Sequence, residues 1–382
     1  MIKNYLLAPG PTPVPPRVQL AMAAPIIHHR TPQFSAIFGE AKDGLKQLFQ
    51  TKEDVLILAA SGTGAMESSI TNLFSPGDEV LTINGGKFGE RWTKIAARYG
   101  LKPIEYKVEW GQAADPQHIR KLLDENPGIR AVFTQASETS TTAVHPIEAI
   151  ARITRDRDVL LVVDGITGVG VFDLPMDRWG IDVLITGSQK AVMLPPGLAF
   201  LALSERAWER NRSAKLPRFY FDLAKERENL GKNTTAWTPA ISLIIGLREV
   251  LTMMNEEGLA RVFERHQRMA QATRAAAAAL ELELVAPDCP SPGITGIHVP
   301  ASVEGGKMVA YLRDKMGVTF AGGQDQLKGK IVRVAHMGYM GAFDVVTAIA
   351  ALEMALRRFG HPAKLGAGVG AAEEILMSAL PE

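Results

Sequence analysis

Between residues 55 and 205 short apolar runs alternate with longer stretches of helical spacing. The runs fall at 55–59, 79–84, 103–108, 131–135, 159–163, 183–186 and 198–203. All have strand length, and several are apolar throughout, as in strands covered on both faces. The segments between them, at 65–74, 88–99, 116–123 and 146–155, space their apolar residues every three or four positions. This alternation predicts an α/β fold with a mostly parallel, seven-stranded sheet flanked by helices.

The pattern changes at both ends. Residues 1–20 hold five prolines, at 9, 11, 13, 15 and 16, which predicts an arm with neither helix nor central strand. Residues 219–238 are polar without a clear period and read as a loop that serves a site or an interface. Long helices are expected at 239–254 and 258–280, then strands at 293–300, 318–321 and 330–335 with helices at 303–316 and 343–359. That is a smaller C-terminal α+β unit. The predicted organisation is an arm (1–20), a large domain (21–257) and a small domain (258–382), with a glycine-rich tail at 366–372 loosely held.

Composition narrows the function classes. A chain of 382 residues with 46% hydrophobic and 22% charged residues suits two globular domains,. A formal net charge of +1 offers no field for a nucleic-acid backbone or an acidic membrane, so neither partner is expected,. The lone cysteine, Cys289, precludes an internal disulfide and fits a reducing compartment,. No signal peptide or membrane-length apolar run is visible, and a cytoplasmic protein is expected.

Two apolar runs end in a single charged side chain: Leu161-Val162-Val163-Asp164-Gly165 and Ile185-Thr186-Gly187-Ser188-Gln189-Lys190. Ligands of such sheets bind where the strands end, so an acid and an amine are delivered to one rim. Pyridoxal phosphate needs that pair, a lysine to condense with its aldehyde and a carboxylate for its ring nitrogen. Burial would lower the Lys190 pKa and make the amine a nucleophile. A surface lysine and a strand-end or N-cap aspartate are the plainer readings. Ser61-Gly62-Thr63-Gly64 lies between a predicted strand and a predicted helix, which suits a phosphate cup or an ordinary capped turn. It is neither a Walker loop nor a dinucleotide fingerprint. Arg333, in an apolar strand, would need an anion, either a substrate carboxylate or a structural ion pair. His28-His29-Arg30 lacks a third metal ligand at useful spacing, so no metal is predicted.

These segments, with Ala8-Pro9-Gly10-Pro11-Thr12, Ala60-Ser61-Gly62-Thr63-Gly64-Ala65-Met66-Glu67, Asn84-Gly85-Gly86-Lys87-Phe88-Gly89-Glu90-Arg91 and Val332-Arg333-Val334-Ala335-His336-Met337-Gly338, resemble the class V aminotransferases among the fold-type I pyridoxal phosphate enzymes. The nearest likeness is to alanine–glyoxylate and serine–glyoxylate (serine–pyruvate) aminotransferases. The resemblance covers nearly the whole chain. It implies a fold-type I transferase in which Lys190 is catalytic. Asp164, Ile166, Gln189, Ser61, Gly62, Thr63, Phe88 and Thr139 would hold the cofactor, and Arg333 and Gly10 the substrate. It also implies that the arm runs to the active site, and that a homodimer shares its sites through the 233–238 loop. Many relatives have a tyrosine near the start of that loop. This chain has none between Tyr220 and Tyr311, so Thr235 and Thr238 are the hydroxyls named for the task. Several plainer roles compete: a core phenylalanine at 88, a simple turn at 138–142, and an N-cap at Thr238 ahead of Pro239.

The implied reaction moves an amino group from alanine or serine to glyoxylate or pyruvate by ping-pong kinetics. Other donors (aspartate, ureidoglycine, an aminophosphonate) fit the same residues. A cysteine desulfurase or β-lyase fits less well, because Gln189 stands where those relatives carry histidine and Cys289 lies in a Pro-Asp-Cys-Pro turn. A nucleotide-dependent oxidoreductase lacks its glycine fingerprint, and a non-catalytic partner protein would have no use for Lys190 with Asp164.

Overall fold

The computed structural model describes residues 2–378. Met1, the first residue of the arm, and residues 379–382, the end of the C-terminal segment, lie outside the described residues. The seven expected strands form one sheet. In chain order they are β1 (Val55–Leu58), β2 (Glu79–Asn84), β3 (Lys102–Lys107), β4 (Ile129–Gln135), β5 (Leu160–Asp164), β6 (Val183–Gly187) and β7 (Ala199–Leu203). Their order across the sheet is β1-β7-β6-β5-β4-β2-β3. All neighbours are parallel except β7, which runs antiparallel to both β1 and β6. Strands β1, β5, β6 and β7 are buried at every residue, as their unbroken apolar runs require. Beyond the sheet, Ile294–His298, Ala321–Gly322 and Ile331–Ala335 make a second sheet with the last strand in the middle, antiparallel to both neighbours.

Two large apolar cores result. One gathers side chains from Val18 to Val262 around the seven-stranded sheet. The other gathers Leu7 and side chains from Met269 to Leu376 around the small sheet. Leu7 is in the second core because the arm is an ordered strand. Tyr5–Leu6 pair in parallel with Val318–Thr319, and the Leu7 carbonyl accepts from the Ala335 amide at 2.9 Å.

Four sequence expectations are corrected. The proline-rich arm does contain a helix start, Pro16–Met22, because Pro16 sits at its first position, where the missing N–H costs nothing,. The 219–238 segment is not wholly a loop: Leu223–Leu230 is helical, begun by Asp222, whose carboxylate accepts the amides of Ala224 and Lys225. Thr238 does not cap the following helix. That helix runs Ile241–Glu257 with Ala240 at its N-cap position.

The fourth correction is the tail. It is not loose: Ala367–Met377 is a helix lying along Leu259–Ala279 with Ala372 and Leu376 buried. Glu353, itself buried, supplies the reason, since its carboxylate accepts the amides of Gly366 (2.7 Å), Gly368 (2.7 Å) and Val369 (3.1 Å). A carboxylate there satisfies the free amides and opposes the positive end of the helix dipole. Glu353→Ala removes that acceptor at a cost of about 1–3 kcal/mol. Hydrogen exchange should then quicken across 366–377 while the amides of β5 and β6 stay protected. Unchanged exchange in the tail would show that packing alone holds it.

Candidate active site

Strands β5 and β6 are neighbours, and their carboxyl ends deliver the two charged side chains. Asp164 is the last residue of β5. It accepts the Ile166 amide at 2.8 Å, and burial pushes its pKa up to about 7. Lys190 follows β6 in a tight turn closed by Met193 N–H to Lys190 C=O at 3.0 Å and by the Ser188 hydroxyl to Pro195 C=O at 2.7 Å. Burial pushes its amine down to about 8, against the opposing pull of the Asp164 charge. Each group thus feels the other across a desolvated rim.

The arm closes over this pair. Lys190 Nζ donates to the Pro9 carbonyl. Gly10 has φ +127°, and a Cβ there would overlap Lys190 Nζ and lie 2.7 Å from its Cδ and Cε, so only glycine fits. Thr12 hydroxyl donates to Lys190 C=O at 2.7 Å and its amide to Gln189 C=O at 3.1 Å. Behind the turn, His266 Nε2 accepts the Gly338 amide at 3.0 Å, which leaves the proton on Nδ1, directed at Val171 C=O 3.3 Å away. Burial holds this histidine neutral, with its pKa near 3.

Ser61 is the N-cap of the Gly62–Leu73 helix, but its hydroxyl makes no capping bond. The first amides of a helix have no intrahelical acceptor, and those of Gly62 and Thr63 find none elsewhere among the described residues. Ile166 packs on the same turn, where a Cβ on Gly62 would overlap its Cδ1. Gln189 faces it too. A Cβ built on Gly187 would lie 3.0 Å from Gln189 Oε1 and 3.5 Å from the Gly62 nitrogen. Gln189 Oε1 is buried without a partner. A half-turn of that amide presents an N–H instead, so free donors surround a small space at a helix N-terminus, which fits a phosphate group.

Phe88 stands in the first turn of the Lys87–Arg98 helix. Buried Glu138 anchors that turn, accepting the amides of Phe88 (3.1 Å), Gly89 (2.9 Å) and Ser140 (3.1 Å) and the Ser140 hydroxyl (2.6 Å). Burial still raises its pKa. Thr139 does not offer a free hydroxyl, which shares a bond of 2.9 Å with Thr167, whose own hydroxyl donates to Ser137 C=O. Arg333 is 5% exposed. Its Nε and Nη2 donate to Gly322 C=O at 3.0 and 2.8 Å, and Nη1 to Thr139 C=O at 2.8 Å. No carboxylate pairs with it among the described residues, so the structural ion pair is not what is found. Two of the five N–H groups of this guanidinium are unspent. Burial lowers its pKa to about 10.

Lys190, Asp164, Ile166, Gln189, Ser61, Gly62, Thr63, Gly10, Phe88 and Arg333 are therefore tied to one another by contacts or charge, directly or through one intermediate residue. Thr235 and Thr238 are not. Thr235 donates to Trp237 C=O at 2.5 Å, and both threonines line a small pocket with Tyr220, Phe221 and Trp237. His28 and His29 stack on each other in an exposed turn. Sequence reasoning assigned no role to Glu138 or Arg91. The Arg91 guanidinium reaches Thr63 and lowers both the Asp164 and Lys190 pKa values. Its position three residues after Phe88, on the same helix face, was the available signal.

The aminotransferase class V family model matches residues 4–341. The chain is 44% identical to a protein named soluble hydrogenase, small subunit, from Synechococcus sp. strain PCC 6716, over 99% of both chains. It is 34% identical to the serine–glyoxylate aminotransferase of Methylorubrum extorquens, over 98% of this chain and 96% of the other. The crystal structure of ureidoglycine–glyoxylate aminotransferase from Bacillus subtilis superimposes with a TM-score of 0.94 at 30% identity, over 98% of each chain. The family implies pyridoxal phosphate, and the amine, acid and amide cup described above fit it. The chain belongs to the class V aminotransferases, pyridoxal phosphate-dependent transaminases.

Proposed function

We propose that this transaminase moves the amino group of a small amino acid, alanine or serine, to a small keto acid, glyoxylate or pyruvate. The observation that carries the reading is Arg333, a buried guanidinium with unspent N–H groups and no protein carboxylate. Its planar fork suits the α-carboxylate shared by every amino and keto acid. Small substrates follow from the arm, since Pro9 and Gly10 lie directly on the Lys190 amine. Glyoxylate appears in the names of both reported aminotransferases, with different donors. Ureidoglycine, aspartate and aminophosphonate donors are the alternatives. A hydrogenase reading from the first relative's name finds no support in a chain with one cysteine, too few for a cysteine-held iron–sulfur cluster,. A soluble cytoplasmic setting agrees with that cysteine usage; among the described residues no helix is long and apolar enough to cross a membrane.

Bound pyridoxal phosphate supplies an electron sink that loosens the α-proton of the amino acid. The protein does the rest. Arg333 fixes the carboxylate, Asp164 holds positive charge on the ring nitrogen, and the arm with the Gly338 turn excludes water. Phe88 offers a stacking face, while the amides of Gly62 and Thr63 with Gln189 hold the phosphate end. The Lys190 amine, tuned by burial, would accept the α-proton at Nζ and give it back as a general acid,. A positioned base of this kind contributes about 10² to 10⁴ in rate. One water molecule, admitted at this stage, would supply the carbonyl oxygen of the departing keto acid, the amino group staying behind, and the acceptor would be aminated by the reverse sequence with release of water.

We also propose a homodimer in which Thr235 and Thr238 serve the partner's phosphate site, since neither joins the site of its own chain. Exposed Leu20, Ile26, Phe219 and Tyr220 supply apolar surface for such an interface,.

With serine or alanine and glyoxylate, the enzyme should form glycine together with hydroxypyruvate or pyruvate. Arg333→Lys should raise the KM for both substrates by about tenfold or more, while visible cofactor absorbance persists. No glycine from glyoxylate with either serine or alanine, and no alanine from pyruvate with serine, would sink the proposal. In the cofactor-free protein, acylation of Lys190 should rise with pH through about 8. Asp164→Asn should move that midpoint lower, because the carboxylate is what holds the amine up. A midpoint near the ordinary lysine value would refute the tuning. Finally, Lys190→Ala and the double variant Thr235→Val/Thr238→Val should each be impaired alone. Subunit exchange between them should restore about a quarter of the activity, one good site in each mixed dimer. No gain on mixing would mean that the loops do not cross.

A further inference from the structure

Arg91 is a half-buried cation without an anion. It lies one turn beyond Phe88 on the Lys87–Arg98 helix. Its helix neighbours Lys87 and Lys94 both pair with Glu90. Arg91 has no carboxylate at ion-pair distance among the described residues. Instead Nη1 donates to the Thr63 hydroxyl at 2.9 Å, and the guanidinium carbon lies 4.8 Å from the centroid of the Phe88 ring. The guanidinium is therefore gripped from two sides, one of them the residue whose free amide lines the cup. Among the described residues the cup itself holds amides, the Ser61 hydroxyl and Gln189 but no other cation, although a phosphate monoester carries close to two negative charges at neutral pH. The Arg91 charge is felt in the site, where it lowers the pKa of Asp164 and of Lys190 alike. A cation held beside unspent amides, with no protein anion, is arranged for a ligand's anion.

We propose that Arg91 supplies the positive charge for the cofactor's phosphate group, held for that task between the Thr63 hydroxyl and the Phe88 ring. The inference rests on the assignment of the Ser61–Thr63 turn as the phosphate cup. It makes Arg91 a residue of cofactor selectivity, favouring the phosphorylated aldehyde over the free one. The Phe88 contact is a cation–π contact, so loss of the charge and loss of the ring's support can be separated by substitution. Arg91→Met keeps an apolar side chain against the ring and removes only the cation.

The test titrates apoprotein with pyridoxal phosphate and, separately, with pyridoxal, following visible absorbance. Arg91→Met should weaken pyridoxal phosphate by about tenfold and leave pyridoxal within about twofold, since only the former has an anion to lose. Arg91→Lys should recover most of the loss, and Thr63→Val, which frees the cation without removing it, should cost less than Arg91→Met. In the unmutated apoprotein, inorganic phosphate should slow modification of Arg91 by a dicarbonyl reagent, read by peptide mass, without slowing that of exposed Arg261. This arm needs no variant to fold. Equal weakening of both aldehydes, no weakening of either, or phosphate that fails to protect Arg91 would each overturn the proposal. Unmutated protein that binds neither aldehyde would instead overturn the site assignment beneath it.

Discussion

The site depends on drawing an amine and a carboxyl together at the ends of two adjacent strands, the carboxyl buried and the amine largely shielded from water. Burial is the leading cause of both shifts, Asp164 upward and Lys190 downward. Each is therefore less charged than it would be in water, and each answers one part of the ring. On the proposed assignment, a cationic ring nitrogen restores the Asp164 charge, and an aldehyde is met by an amine already partly neutral. The surrounding cations, Arg91 and Arg333, further disfavour the protonated amine. The sheet makes this possible because β5 and β6 run parallel, with Asp164 at the end of β5 level with Ile185 near the end of β6, and because β7 turns antiparallel beside β6, so that the chain leaves the rim after Lys190 and Ser188 can bond back to Pro195 and Leu198.

The second core bears on the same point. Lys190 C=O accepts Thr12 from the arm, and Gly338, at the end of the small sheet, packs on that carbonyl and on Thr12. His266 joins this seam to the loop at Val171 as a neutral ring with a fixed tautomer. Its charged form has nowhere to go. The seam is intact above the ordinary histidine pKa near 6.5 and loses support as pH falls from there towards 3,. The arm, the sheet edge and the small sheet thus meet at one residue. The same strand that ends at this seam carries Arg333, so the seam also sets the distance between the amine and the carboxylate handle.

How much was legible follows from where the information lies. The strands were readable because a doubly covered strand is a nearly unbroken apolar run, as residues 160–163 and 183–185 are,. Lys190 and Asp164 stood out because each charge closes an apolar run, and the structure brings the two within reach of each other's charge at one rim. The tail was misread because composition says glycine and alanine, and the acceptor that orders it, Glu353, sits on a different helix. The arm's helix was missed because proline was counted as a breaker when Pro16 occupies the position that tolerates it. Glu138 and Arg91 escaped notice for the same reason as Glu353, since each acts on a distant element. Glu138 acts on the Phe88 turn from the segment after the neighbouring strand, and Arg91 acts on Thr63 from another helix. Thr139 was named for its hydroxyl; in the structure that hydroxyl bonds Thr167, and it is the Thr139 carbonyl that accepts from Arg333.

The fold by itself leaves the donor open. On the proposed assignment, Arg333 addresses only the carboxylate that all candidate donors share, and the Asp164–Lys190 pair addresses only the ring. Discrimination must come from what surrounds the donor side chain. The arm at Pro9 and Gly10 lies on the amine. Its close packing leaves room for an extra atom only if the arm moves. The arm is held by strand bonds at Leu6–Leu7 and by Thr12, with Gly10 between these anchors. On the proposed reading, the segment that would limit substrate size is thus a short span fixed at both ends. A larger donor must lift it against the Pro9 contact to Lys190, and the cost of that motion falls on the same amine that has to carry the proton.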